Sequence, residues 1–123
     1  MKEKVLLVED NKTSAFYTKT NLEDLGYACD VAENAEASLQ LFLENNYVSI
    51  LMDISLGDEM NGYDATRKIR QIEAKTKRER AVIVALTGHA KSNVYENCLA
   101  AGMDGVLEKP LNKESFRELM KKG

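Results

Sequence analysis

The chain has 123 residues, 44% hydrophobic and 30% charged, which is enough for one domain with a real core and too few for two. No apolar run approaches the roughly 20 residues needed to cross a bilayer. Met1-Lys2-Glu3-Lys4 leads straight into a short apolar run with no cleavable signal after it, so a cytoplasmic location is expected. A formal net charge of -3 gives no support for the basic face that direct nucleic-acid binding needs.

Along the chain, short β-rich apolar runs alternate with amphipathic stretches. Val5-Leu6-Leu7-Val8 is expected to form the first strand. The helix after it carries Ala15, Thr18, Leu22 and Leu25 on one face, and Gly26 ends it as a left-handed cap. Ala28 to Ala32 reads as a second strand, and Asn34 caps a second helix whose inner face includes Leu39, Phe42 and Leu43. Val48 to Met52 forms the third strand, and Ala65, Ile69 and Ile72 mark the third helix. Lys75-Thr76-Lys77-Arg78-Glu79-Arg80 reads as a solvated helix end and loop, its cations favouring the negative end of that helix dipole. Ala81 to Leu86 is the fourth strand, and Val94, Cys98 and Ala101 mark a fourth helix closed by Gly102. Gly105 to Leu107 is the fifth strand, and Asn112 caps a fifth helix that buries Phe116, Leu119 and Met120.

Apolar runs of this length without polar alternation suit strands buried on both faces of a parallel sheet. Five such βα units predict an α/β doubly wound (βα)5 parallel sheet in the order 2-1-3-4-5. Cys29 and Cys98 fit neither a disulfide framework nor a metal-ligand spacing, and read as small buried hydrophobes.

Ligands of such sheets bind outside the carboxyl ends of the strands, so the residues that follow each strand locate the site. The first strand runs into Glu9 and Asp10, the third ends in Asp53, the fourth runs into Thr87, and the fifth into Glu108, Lys109 and Pro110. Any one of these fits an ordinary surface or strand-end residue. Together they place three carboxylates at one end of the sheet, where like charges need a counter-cation. An all-oxygen site with few protein ligands suits Mg2+ better than zinc. A carboxylate beside such an ion can attack phosphorus and form an acyl phosphate, with Lys109 and Thr87 as the cation and hydroxyl for the phosphoryl oxygens.

These residues resemble the receiver domains of response regulators and hybrid sensor kinases, over essentially the whole chain (1–123). Leu6-Leu7-Val8-Glu9-Asp10-Asn11 resembles the family's acidic-pair motif, and Ile50-Leu51-Met52-Asp53-Ile54 its phosphoacceptor strand. Asn61-Gly62-Tyr63-Asp64-Ala65-Thr66 resembles the start of its third helix, and Ala85-Leu86-Thr87-Gly88-His89-Ala90 its switch segment. Ala100-Ala101-Gly102-Met103-Asp104-Gly105 followed by Leu107-Glu108-Lys109-Pro110 resembles its carboxy-terminal signature.

The resemblance implies the flavodoxin-like fold and a phosphoryl group carried on Asp53, delivered from a phosphohistidine on a histidine kinase or phosphotransfer protein. It implies that Asp10 and Asp53 ligate Mg2+ directly, that Glu9 contributes directly or through water, and that the Ser55 carbonyl supplies another ligand. Thr87 would move to bond the phosphoryl oxygen, and Lys109 would pair with it, aimed by a cis Lys109-Pro110 bond. The implied role is a phosphoacceptor switch and not a turnover enzyme. Its readout would be the face of the fourth helix, fifth strand and fifth helix, towards a downstream protein or an output domain of the same chain. The wording around Tyr63 and His89 leans towards hybrid-kinase receivers, while Met1 leans towards an amino-terminal or free receiver.

Three departures bear on this. Gly57 stands where the family often has proline, and the segment from Asp53 to Gly62 is one residue longer than the commonest form. The stretch before the fourth strand is also long. Val106 stands three positions before the lysine, where many members carry a switching aromatic, so the loop around His89 is a candidate for the coupling, beside the plainer reading of a solvated histidine. A receiver fold used only for protein contacts is the alternative function. A haloacid-dehalogenase-like phosphatase would want an aspartate where Ser55 stands, and a flavodoxin-like or nucleotide-binding module would meet Glu9 and Asp10 where it must cradle phosphate.

Overall fold

The computed structural model describes residues 2–54, 61–88 and 92–122. Strands and helices alternate: β1 (Lys4–Val8), α1 (Lys12–Asp24), β2 (Ala28–Ala32), α2 (Ala35–Glu44), β3 (Ser49–Asp53), α3 (Gly62–Thr76), β4 (Val82–Thr87), α4 (Ser92–Ala101), β5 (Gly105–Glu108) and α5 (Lys113–Lys122). The five strands form one sheet in the order β2-β1-β3-β4-β5, parallel at every pairing, as the alternation of apolar runs predicts.

Period-2 alternation divides the core between the two faces of the sheet. On one face Leu6, Val8, Ile50, Met52, Ile83 and Ala85 pack beneath α2, α3 and α4 through Phe42, Ile69 and Cys98. On the other, Val5, Leu7, Leu51, Val84 and Leu86 pack beneath α1 and α5 through Leu22 and Phe116. Both central strands are buried along their whole length, which is why they read as unbroken apolar runs. Cys29 and Cys98 are free and buried, and burial pushes the Cys29 thiol up to about 12. They are core residues, as expected.

The helix ends follow their local chemistry. Asn11, Asn34, Asn61 and Asn112 each accept a backbone N–H three residues on, and Gly26 and Gly102 take the left-handed φ values of 98° and 104° that close α1 and α4. Strands β3 and β4 begin one residue later than expected, so Asp53 and Thr87 are themselves the last ladder residues.

Two expectations need correction. Leu43 is 51% exposed; the buried stripe of α2 is Ala35, Ser38 and Phe42, and Leu39 only borders it. The helix covers a narrow strip near the sheet edge, too narrow for adjacent residues to share. The run from Lys75 to Arg80 is not simply solvated either. Lys77 adopts φ 56° to end α3, and Arg78 donates to the Phe42, Leu43 and Asn45 carbonyls while lying 4.9 Å from the Phe42 ring centroid. Those carbonyls are the orphaned acceptors at the end of α2, which has no glycine cap, so a guanidinium from another loop satisfies them.

At the pole opposite the strand carboxyl ends, Arg70 joins three segments. It bonds the Gly102 carbonyl at 2.9 Å, Glu73 Oε1 at 2.8 Å, the Ala81 carbonyl at 2.8 Å and Asp104 Oδ2 at 2.9 Å. Glu73 Oε2 in turn accepts the Ala81 N–H at 2.7 Å, and Asp104 Oδ2 accepts the Ile83 N–H at 2.9 Å. Arg80 pairs with the remaining Asp104 oxygen. Removing the guanidinium takes the counter-charge from the buried Glu73 carboxylate and one of two from the partly buried Asp104, so Arg70→Ala should cost about 3 kcal/mol in urea unfolding. The exposed Arg67–Asp64 pair on the same helix sets the comparison, and Arg67→Ala should stay within about 0.5 kcal/mol of wild type. Equal effects at both positions would contradict the network's importance.

Candidate functional site

The same alternation that builds the core also aims the site. Val5 and Leu7 on β1, Leu51 on β3 and Leu107 near the end of β5 all face α1 and α5. Glu9, Asp53 and Lys109 are each the next residue in that period-2 series, so their side chains leave the sheet on one side at its carboxyl edge. There they meet. Lys109 Nζ lies 2.6 Å from Glu9 Oε2 and 3.0 Å from Asp53 Oδ2. Glu9 and Asp53 are each only 2% exposed, whereas Asp10, beside them, is exposed.

Thr87 ends β4 one residue beyond Leu86, the register partner of Asp53, and is itself buried. Its carbonyl accepts the Lys109 N–H at 2.8 Å, which ties the two strand ends together. The Lys109-Pro110 bond is cis, as the resemblance implies. The Ser55 carbonyl, Gly57 and His89 lie outside the described residues.

Oxygens of Glu9, Asp10 and Asp53 lie within 4.8 Å of one another. An octahedral ion with bonds of about 2.1 Å spans about 4.2 Å between opposite ligands, so small rotations would bring the three onto one metal. The cluster offers carboxylate oxygen and neither sulfur nor imidazole, a donor set for a hard cation.

Three further residues shape the site. Gly62 begins α3 against the end of β3, and a Cβ there would come within 2.9 Å of both the Asp53 carbonyl oxygen and Met52 Cγ. Only glycine lets α3 approach the strand this closely. Asn11 N–H donates to Glu9 Oε1 at 3.1 Å, and Ser14 Oγ to Glu9 Oε2 at 3.1 Å. The Asn11-x-x-Ser14 spacing marks a helix start in the sequence, but not that its donors turn back onto Glu9.

Electrostatics follow from this geometry. Burial pushes the Glu9 carboxyl above its usual range, and Asp53 pushes it further, while Lys109 and the Asn11 amide pull the other way. Burial alone would lower the Lys109 ammonium, but its bonds to Glu9 and Asp53 outweigh that and leave it above the ordinary lysine range.

The sequence and the fold match known proteins. The family model for the response regulator receiver domain matches residues 5–121. The aerobic respiration control sensor protein ArcB of Escherichia coli is 36% identical over 96% of this chain, and the sensor protein GacS of Pseudomonas syringae 33% over 97%. The chain spans only 15% and 13% of those two relatives. Among solved structures, the receiver domain of the histidine kinase CKI1 from Arabidopsis thaliana, in a mutant form, superposes with a TM-score of 0.86 at 29% identity, covering 97% of this chain and 90% of that one. The chemotaxis protein CheY4 of Vibrio cholerae shares the fold, with a TM-score of 0.84 at 21% identity over 99% of this chain and 98% of that one. The chain belongs to the response regulator receiver domain family, the phosphoacceptor class of two-component signal transduction.

A carboxyl with a raised folded-state pKa binds its proton more tightly in the folded than in the unfolded chain. Its contribution to stability is therefore full below the unfolded value and is lost as pH rises through the folded one. Without divalent metal, Glu9→Gln should therefore be more stable than wild type at pH 7. The gap should close as pH falls from the raised folded value to the ordinary carboxylate range of the unfolded chain. Thermal melts in chelator across that range measure it, and a glutamine variant less stable at pH 7 would contradict the assignment.

Proposed function

We propose that the chain is one Mg2+-dependent receiver domain in which Asp53 accepts a phosphoryl group and thereby switches a protein-binding surface. The observation that carries this reading is the convergence of Glu9, Asp10 and Asp53 with the Lys109 ammonium, 2.6 and 3.0 Å from two of the carboxylates. Asp10 and Asp53 would hold Mg2+ directly, Glu9 directly or through water, and the Ser55 carbonyl would supply a further ligand. The ion, when bound, supplies charge neutralisation for the carboxylates and the phosphoryl oxygens.

In the transfer, an Asp53 carboxylate oxygen attacks the phosphorus of a phosphohistidine on a histidine kinase or phosphotransfer protein. The new O–P bond forms as the N–P bond breaks, and the imidazole leaves with the electron pair. Charge on the transferring oxygens is met by Lys109, which exchanges its carboxylate partners for phosphoryl oxygen, and by the Thr87 hydroxyl. Lys109 is well placed for this because it already contacts Asp53 and, through its backbone, Thr87. The domain acts on its own acyl phosphate and does not turn over a separate substrate.

Phosphorylation would bias a two-state equilibrium that is read on the face of α4, β5 and α5. Tyr95 and Leu99 stand exposed on α4 there, an apolar footing for a downstream protein or an output domain of the same chain. Val106 is half-buried against the core and, being β-branched, has little rotamer freedom, so helix and loop movement would carry the coupling. Among the described residues no helix is long and apolar enough to cross a membrane. A cytoplasmic setting and no direct nucleic-acid contact complete the reading, the latter supported by the formal net charge of -3.

The test uses a small-molecule phosphodonor, such as acetyl phosphate, read by intact-protein mass. With Mg2+ the wild type should gain one phosphoryl group, and chelator should abolish the gain. Asp53→Asn should gain none, and Lys109→Ala should be slower by about 100-fold or more. An Asp53→Asn variant that is phosphorylated as well as wild type would overturn the assignment.

A further inference from the structure

The buried Glu9 carboxylate is held from two sides, by Lys109 and by the first turn of α1. The Asn11 side chain accepts the Ser14 N–H at 2.8 Å, which fixes the Ser14 backbone at the start of the 13-residue helix. From that fixed point the Ser14 hydroxyl reaches Glu9 Oε2 at 3.1 Å, while the Asn11 N–H takes Oε1 at 3.1 Å. Oε2 is also the oxygen that Lys109 contacts.

The two side-chain donors on Oε2 differ in kind. Lys109 sits on a long flexible stem, is shared with Asp53, and has its own part in meeting phosphoryl charge. Ser14 has a short stem, is pinned by the helix cap, and contacts no other carboxylate at the site among the described residues. Once Lys109 turns to another partner, Ser14 is the side chain still holding Oε2. A buried charged group that loses a donor pays for it, and a carboxylate with one oxygen released can rotate away from its productive orientation.

We propose that Ser14 is a positioning residue of the metal site: its hydroxyl holds the Glu9 carboxylate in the orientation that Mg2+ binding uses, whether or not Lys109 is engaged there. This rests on the reading of Glu9, Asp10 and Asp53 as the Mg2+ site. Ser14 itself touches neither metal nor phosphoryl group. Its effect is on how tightly the ion is held and not on the transfer once the ion is in place.

The test compares the 123-residue wild type with Ser14→Ala and Ser14→Thr, each checked for folding by thermal melting. Calorimetry measures Mg2+ binding to the unphosphorylated protein, and acetyl phosphate labelling is followed against Mg2+ concentration. Ser14→Ala should weaken Mg2+ about tenfold, the low end for losing a partner that orients a ligand. The Mg2+ concentration for half-maximal labelling should shift by the same factor, and the rate at saturating Mg2+ should match wild type. Ser14→Thr, which keeps the hydroxyl, should restore the affinity. Unchanged or tighter Mg2+ binding by Ser14→Ala overturns the proposal. So does a threonine variant as weak as the alanine one, or an alanine rate that saturating Mg2+ does not restore. A wild type that binds no Mg2+ sinks the metal reading itself, and is seen before any variant is compared.

Discussion

Among the described residues, Glu9, Asp10 and Asp53 converge at the carboxyl edge of the sheet with the Lys109 ammonium, and two of these three carboxylates are buried. At about 4 Å and an effective dielectric near 20, each unbalanced pair of charges is worth about 4 kcal/mol. Lys109 therefore cannot satisfy the edge alone. It divides its charge between Glu9 and Asp53, while the first turn of α1 steadies Glu9 from the other side. With more carboxylate than cation among the described residues, this cluster favours whatever brings positive charge, and it disfavours an incoming anion unless that anion arrives with a counter-ion. The proposed dependence on metal and the proposed exchange of partners by Lys109 would both have this one origin.

The rest of the molecule keeps that edge in shape. Fully buried central strands carry Asp53 and Thr87 to the rim in fixed register, and Gly62 lets α3 close against the β3 end. At the far pole the Arg70 network joins α3, the start of β4 and the α4–β5 turn. One end of the sheet is thus cross-linked by satisfied charges, and the other carries charges in deficit. Rearrangement is cheapest at the second end.

Much of this is legible in the sequence, because it depends on local period. Unbroken apolar runs give the strands, the order of βα units gives the sheet, and the residue after each run gives Glu9, Asp10, Asp53, Thr87 and Lys109. What escapes are contacts set by distance across the fold. Nothing local marks Arg78 as the cap of a helix that ends some thirty residues earlier, or Asp104 as the partner of both Arg70 and Arg80. Leu43 is misjudged because hydropathy does not report how wide a strip of sheet a helix has to cover. Ser14 escapes because nothing in its local sequence points its hydroxyl at Glu9. Its second bond exists only because β1 delivers Glu9 beneath that turn.

The bond from the Lys109 N–H to the Thr87 carbonyl sets how the lysine can move. Its main chain is stitched to the neighbouring strand, while its side chain ends in a charge with several torsions to spare. The ammonium can trade one oxygen for another by bond rotation alone, without sliding either strand. Under the proposed function, exchange of partners at the rim would be decoupled from the sheet's mechanics, and a transferred group would come and go on a scaffold whose strands stay in place.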